Sequence, residues 1–172
     1  MAEDWPIIAR QLTKFGIDDP CNCVGIIGTI AKESASTFKP VREAYWLYDR
    51  DPAAAYRYYA SVDPPRKAAY GGGPDYHGRG YLQTTHLSNY QRVQDVTGLP
   101  VVAKPDLLLE AEAAAAALCI WWTDRPMSYL CKVRDWAEVR RRVLGGPDPD
   151  GVQRIRRVAD LLLPLAAERG FL

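Results

Sequence analysis

Apolar residues recur along most of this chain at three- and four-residue intervals, the spacing of one face of an α-helix. The clearest run is Cys23, Ile26, Ile27 and Ile30, at i, i+3, i+4 and i+7. It defines the core-facing stripe of a helix that opens at Asp19-Pro20 and runs to about Ser34. Ahead of it, Asp4 is placed to cap a first helix, with Pro6 in its first turn and Gly16 as its stop. The same punctuation predicts helices over 86–97, 106–123, 135–144 and 149–168, and a short one opening at Asp51-Pro52. Tyr81-Leu82-Gln83-Thr84 alone reads as an extended segment. Pro64-Pro65 and Gly71-Gly72-Gly73-Pro74 mark loops. The pattern predicts a mainly α fold with minimal β, built as a single globular domain over residues 1–172.

Composition narrows the classes. The chain has 172 residues, with 22 Lys+Arg against 21 Asp+Glu. A balance so near neutral argues against a protein held to nucleic acid chiefly by counterion release. The longest uncharged stretches, 20–31 and 113–123, are too short for a span of about 20 residues, so no membrane insertion is expected. The acidic start, Glu3-Asp4, lacks the basic and apolar regions of a secretory signal. Cys21, Cys23, Cys119 and Cys131 match no zinc spacing and read as buried filler. A cysteine peptidase would need Cys21 or Cys23 exposed beside His77 or His86.

The candidate chemistry lies in carboxylates. Glu33 stands three residues beyond Ile30, at the end of the apolar stripe. Such a carboxylate is either at a solvated helix end or tucked beside apolar neighbours, where desolvation prepares it to act as a general acid. Glu43 lies ten residues on, before the aromatic run Tyr45-Trp46-Leu47-Tyr48. Two carboxylates across one groove are what inverting glycoside hydrolysis needs: one protonates the leaving oxygen, the other activates water, roughly 6.5–9.5 Å apart. The aromatics, Tyr45 among them, suit the apolar faces of sugars or serve as plain hydrophobic anchors. A third segment, Gly78-Arg79-Gly80-Tyr81-Leu82-Gln83-Thr84-Thr85-His86-Leu87-Ser88-Asn89-Tyr90, presents Gln83, Thr85, Asn89 and Tyr90 as neutral hydrogen-bonding groups. These fit sugar hydroxyl and N-acetyl groups better than phosphates.

That segment resembles the Gly-Arg-Gly-x-x-Gln-Leu-(Ser/Thr)-x-x-x-Asn-Tyr signature of glycoside hydrolase family 19, the chitinases and related bacteriophage endolysins. Ala31-Lys32-Glu33-Ser34 resembles the family's acid-bearing segment, and Val41-Arg42-Glu43 the shorter phage version of its base-bearing segment. Pro105-Asp106-Leu107-Leu108-Leu109 with Trp121-Trp122 and Arg141-Arg142-Val143-Leu144-Gly145-Gly146 with Gln153-Arg154-Ile155 are similar to two further blocks, in family order. The wording from Phe38 to Trp46 looks most like the muralytic domains of actinobacterial phage lysins.

The resemblance implies a lysozyme-like fold with a substrate groove, Glu33 as general acid and Glu43 as general base. It implies that Thr85 helps position the water and that Gln83, Asn89 and Tyr90 line the sugar subsites. Tyr81, at a variable position, is expected to touch substrate, and Arg154 to hold Glu43 ionised. Lys32 stands where plant chitinases usually have His, and Leu144 where the family has Asn. The implied protein is a monomeric endolysin-type glycosidase that cuts the β-1,4 bonds of peptidoglycan glycan strands. It would be made in a host cytoplasm and act at the wall after release. No metal or organic cofactor is implied. Chitin oligomers are the alternative substrate, and a non-catalytic wall-glycan-binding module is the reading from another class. From Lys132 to Arg157 eight Lys/Arg face four Asp/Glu, either a solvated helix face or a surface drawn to an anionic wall.

Overall fold

A computed structural model describes residues 3–35, 37–43, 50–51, 53–54, 57 and 74–172. Its helices are α1 (Trp5–Lys14), α2 (Pro20–Glu33), α3 (Leu87–Thr97), α4 (Ala111–Thr123), α5 (Met127–Lys132), α6 (Trp136–Leu144) and α7 (Pro149–Glu168). Two two-residue strands, β1 (Val41–Arg42) and β2 (Arg79–Gly80), are the β structure among these residues. The mainly α expectation holds. The short helix expected from Asp51 falls largely outside the described residues, as do Pro64-Pro65 and Gly71-Gly72-Gly73. By their contacts the residues form two compact units, Met1–Phe38 with Cys119–Leu172, and Lys39–Leu118.

In the first unit α2 is the central element, buried at every position from Val24 to Ile30. Its start is fixed locally. Asp19 Oδ1 accepts from the backbone N–H of Cys21 and Asn22, each at 3.1 Å, and Pro20 supplies a first-turn φ that suits a helix. Asn22 is buried, and its Oδ1 accepts from Trp122 Nε1 at 2.8 Å, which satisfies both polar groups inside the core. Helix α7 lies along α2 with its buried stripe of Ile155, Ala159 and Leu163. The two backbones approach closely at Gly28, where an added Cβ would stand 2.6 Å from Ile155 Cα. Periodicity located α7 at 149–168, and it runs from Pro149 to Glu168. It missed α5, a helix of six residues following the breaker Pro126.

The second unit contains the antiparallel pair, with Val41 opposite Gly80 and Arg42 opposite Arg79. The extended segment expected at 81–84 is corrected. Tyr81, Leu82 and Gln83 form a turn, with Gln83 at φ 53°, and Thr84 returns to exchange two backbone bonds with Arg79. The strand therefore stands two residues earlier than expected. Helix α4 begins at Ala111, later than expected, because Pro105–Leu109 winds as a 3₁₀ turn.

Candidate active-site carboxylates

Glu33 is the last residue of α2, with a side chain 19% exposed. Its neighbour is a guanidinium rather than an apolar wall, which departs from the desolvated setting the helix stripe allowed for. Arg140 Nη2 donates to Glu33 Oε1 at 2.6 Å, and Arg140 is fully buried on α6. The same arginine donates from Nε to Asp148 Oδ2 at 2.8 Å, with Nη2 2.6 Å from that oxygen. Asp148 in turn caps α7, its Oδ1 accepting from Gly151 N at 3.1 Å. Lys32 Nζ lies 3.9 Å from Asp148 and 3.8 Å from Asp150. Burial opposes the charge on Asp148, but the Gly151 N–H and the cations Arg140 and Lys32 together hold its carboxyl below the usual range. A cation shared by two carboxylates fixes both rotamers, so Glu33 is held with Oε1 engaged. Oε2 has no hydrogen bond among the described residues.

Sequence reading singled out neither Arg140 nor Asp148. A signal was present: Arg140 shares the stripe of Trp136, Val139 and Val143 at i, i+3, i+4 and i+7 on α6. An arginine on a core-facing stripe requires a buried anion. Arg154, expected near the base, is half-buried on α7, and Leu144 is exposed at the end of α6.

In the second unit Glu43 and Gly78 exchange two bonds. Glu43 N donates to Gly78 O at 2.8 Å, and Gly78 N donates to Glu43 Oε2 at 2.9 Å. A backbone N–H aimed at a carboxylate stabilises and orients its charge. Gly78 admits this approach because it has no side chain. A Cβ there would stand 2.7 Å from Gln83 Oε1 and 3.3 Å from Glu43 Oε2. Gln83 is tethered from its other end, Nε2 donating to Val41 O at 2.9 Å and to Gly80 O at 3.3 Å. Thr85 Oγ1 donates to Gln83 O at 2.7 Å, and Asn89 Nδ2 to Thr85 O at 2.6 Å. Glu43, Gln83, Thr85 and Asn89 are all half-buried, so one loop brings four of the expected residues together at partial exposure.

Tyr81 and Tyr90 are wholly buried, and neither ring lies on the surface where the resemblance puts it. Tyr90 Oη donates to His77 O at 2.8 Å and accepts from Arg79 Nη1 at 2.9 Å. Burial pushes its hydroxyl up to about 12, against the opposing pull of Arg79. Arg79 also donates from Nε to Asp106 Oδ1 at 2.8 Å, while Arg42 Nη2 donates to Asp106 Oδ2 at 2.8 Å. The Gly-Arg-Gly arginine thus braces the loop that carries Gln83. Tyr45 lies outside the described residues.

Nucleophilic cysteine chemistry finds less support. Burial pushes the Cys23 thiol up to about 11 and those of Cys119 and Cys131 to about 12, away from the thiolate a nucleophile needs. Among the described residues no group of three or more His, Cys, Asp or Glu is placed to hold a metal ion, and no helix is long and apolar enough to cross a membrane.

No family model matches the chain. A stretch of 49 residues, 28% of the chain, is 43% identical to "Chitinase 11" of Oryza sativa subsp. japonica, and the match spans about a fifth of that protein, 19%. Among solved structures the chain is similar to a mutant of chitinase C, with a TM-score of 0.65 and 16% identity over 92% of this chain and 83% of that one. It is also similar to chitinase C from Streptomyces griseus HUT6037, with a TM-score of 0.63 and 17% identity over 94% of this chain and 69% of that one. At these identities the likeness is one of fold.

Proposed function

We propose that this chain is a glycoside hydrolase of the chitinase-like class that cleaves β-1,4 bonds of bacterial peptidoglycan with inversion, as an endolysin acting at the host wall. The observation that carries this reading is the bond from Gly78 N to Glu43 Oε2. The segment that resembles the family signature is attached to the carboxylate the resemblance calls the base. The chitinase fold and the 49-residue match support the same class.

Glu33 serves as the acid. With Oε1 engaged by Arg140, Oε2 is the oxygen that carries the proton to the leaving group. Glu43 serves as the base: its Oε2 is pinned by Gly78, and its charge draws a proton from the attacking water. Thr85 holds the water, its hydroxyl proton committed to Gln83 O so that its lone pairs accept. Gln83 and Asn89 meet the sugar, and the buried Tyr81 and Tyr90 support the loop from behind. Arg154 tunes the charge around the base. Replacing Glu33 or Glu43 by Gln removes one transferable proton or one basic site. Each variant is expected to lose at least about a thousandfold in hydrolysis while keeping the parent circular-dichroism spectrum. Unchanged hydrolysis in either would exclude the assignment.

The names of the similar proteins favour a second reading, chitin. That polymer has the same bond without the lactyl peptide. Parallel assays on chitin oligomers and purified walls separate the two.

A further inference from the structure

Thr29 Oγ1 and Arg140 Nη1 are buried, and neither has a hydrogen-bond partner among the described residues. Both side chains lie wholly inside the first unit. A helical threonine can turn its hydroxyl to the carbonyl one turn back, and Thr29 does not. A buried polar atom without a partner is costly, most of all on a charged group. Native structures satisfy such atoms, in many cases with an internal water.

Helix geometry brings the two atoms together. Lys32 and Glu33 stand at i+3 and i+4 from Thr29, one turn further along α2 and on either side of its face. Glu33 Oε1 accepts from Arg140 Nη2 at 2.6 Å. On the other side Lys32 Nζ lies 3.9 Å from Asp148 Oδ1, and Asp148 Oδ2 accepts from Arg140 Nε at 2.8 Å. The guanidinium is therefore held between the two side chains that flank Thr29. Helical side chains lean toward the N-terminus, so Glu33 and the cation it grips lean back over the Thr29 hydroxyl. Gly28, beside Thr29, lets the Ile155 backbone come close and keeps α7 against this stretch.

We propose that Thr29 is a positioning residue for Glu33 that acts through Arg140, by way of one internal water that accepts from Arg140 Nη1 and donates to Thr29 Oγ1. Asp148 takes Nε and Nη2, Glu33 takes Nη2, and this link takes Nη1. All three nitrogens of the guanidinium are then anchored, and the cation that orients Glu33 cannot swing. The link needs no enzymatic assignment, whereas its effect on hydrolysis rests on Glu33 being the acid.

The test is Thr29→Val, which keeps the side-chain shape and removes the hydroxyl, with Thr29→Ser as the conservative variant. In thermal unfolding at pH 7 followed by circular dichroism, Thr29→Val is expected to lower Tm by about 4 °C, because a charged donor loses its link. Thr29→Ser should recover at least half of that loss. A hydroxyl with no partner gives the opposite sign, since valine relieves its burial. An unchanged or raised Tm in Thr29→Val would overturn the proposal. In an Arg140→Gln background the valine substitution should cost at least about 2 °C less, and an equal cost there would overturn the link. On oligosaccharides Thr29→Val should lose at least about fivefold in kcat with KM within about twofold of the parent, and Thr29→Ser should restore kcat. Parent-level kcat in Thr29→Val would overturn the positioning role. A parent chain that hydrolyses no oligosaccharide would overturn the glycosidase reading and the positioning role with it, while the two Tm comparisons still decide the link.

Discussion

Arg140 holds Glu33 by a 2.6 Å bond from Nη2 to Oε1, and the arginine is fully buried. The helix that ends in the proposed acid is thereby tied to α6 and, through Asp148, to the start of α7. Arg140→Gln strips the shared cation from two carboxylates. Breaking a buried pair from one side costs about 3–5 kcal/mol, a fall of roughly 10 °C in Tm for a chain of this size. Arg140→Lys keeps the charge but lacks the planar fork, and should recover only part of the loss. Thermal unfolding followed by circular dichroism reads both.

Gly78→Ala tests the other carboxylate. The new methyl would meet Gln83 Oε1 and crowd Glu43 Oε2, so the proposed base is displaced by several tenths of an ångström. Hydrolysis of oligosaccharides should fall at least about tenfold through kcat, with a stability cost of only about 1–2 kcal/mol. Activity at the parent level would mean that Glu43 does not need this geometry.

Acid should destabilise the chain through Asp148 and Asp106. Burial raises both, but the bonds from Gly151 and Arg140 to Asp148, and from Arg42 and Arg79 to Asp106, outweigh it and leave each below its ordinary value. A carboxyl with a depressed folded value contributes stability that is full above the unfolded pKa, about 3.9, and is lost as pH falls through the folded value. Urea midpoints should stay level from pH 7 to about 5 and fall steeply below about 4. Asp148→Asn should start lower and fall less.

Gly28→Ala probes the close approach of α2 to α7. An added Cβ meets Ile155 backbone at 2.6 Å, and overpacking of this kind costs about 1–3 kcal/mol. Gly146→Ala, where no atom lies within 4 Å, is the control and should change stability by less than about 0.5 kcal/mol. Chemical denaturation of the two variants gives the comparison.

What the sequence made legible follows from periodicity. Helices α2 and α7 carry apolar stripes long enough to read, and the start expected at Asp19-Pro20 stands where the structure caps α2. Helix α5 is too short for a period to emerge. Strands β1 and β2 have two residues each, and their pairing is set by contacts 39 and 37 positions apart, Val41 with Gly80 and Arg42 with Arg79. The carboxylates Glu33 and Glu43 were visible because a resemblance and a stripe pointed to them. Their partners were not: Gly78 acts through its backbone, and Arg140 sits in a run of three arginines of which the other two are exposed. Tyr81 and Tyr90 show the converse. A motif names residue types without saying which face inward, and burial decided that these two brace the loop.

The central claim is that glycosidic bonds are broken, and mass spectrometry of digested bacterial walls tests it most directly. The expected result is new reducing sugar ends, absent from digests with Glu33→Gln, together with no new free amino termini. New amino termini without new reducing ends would contradict it.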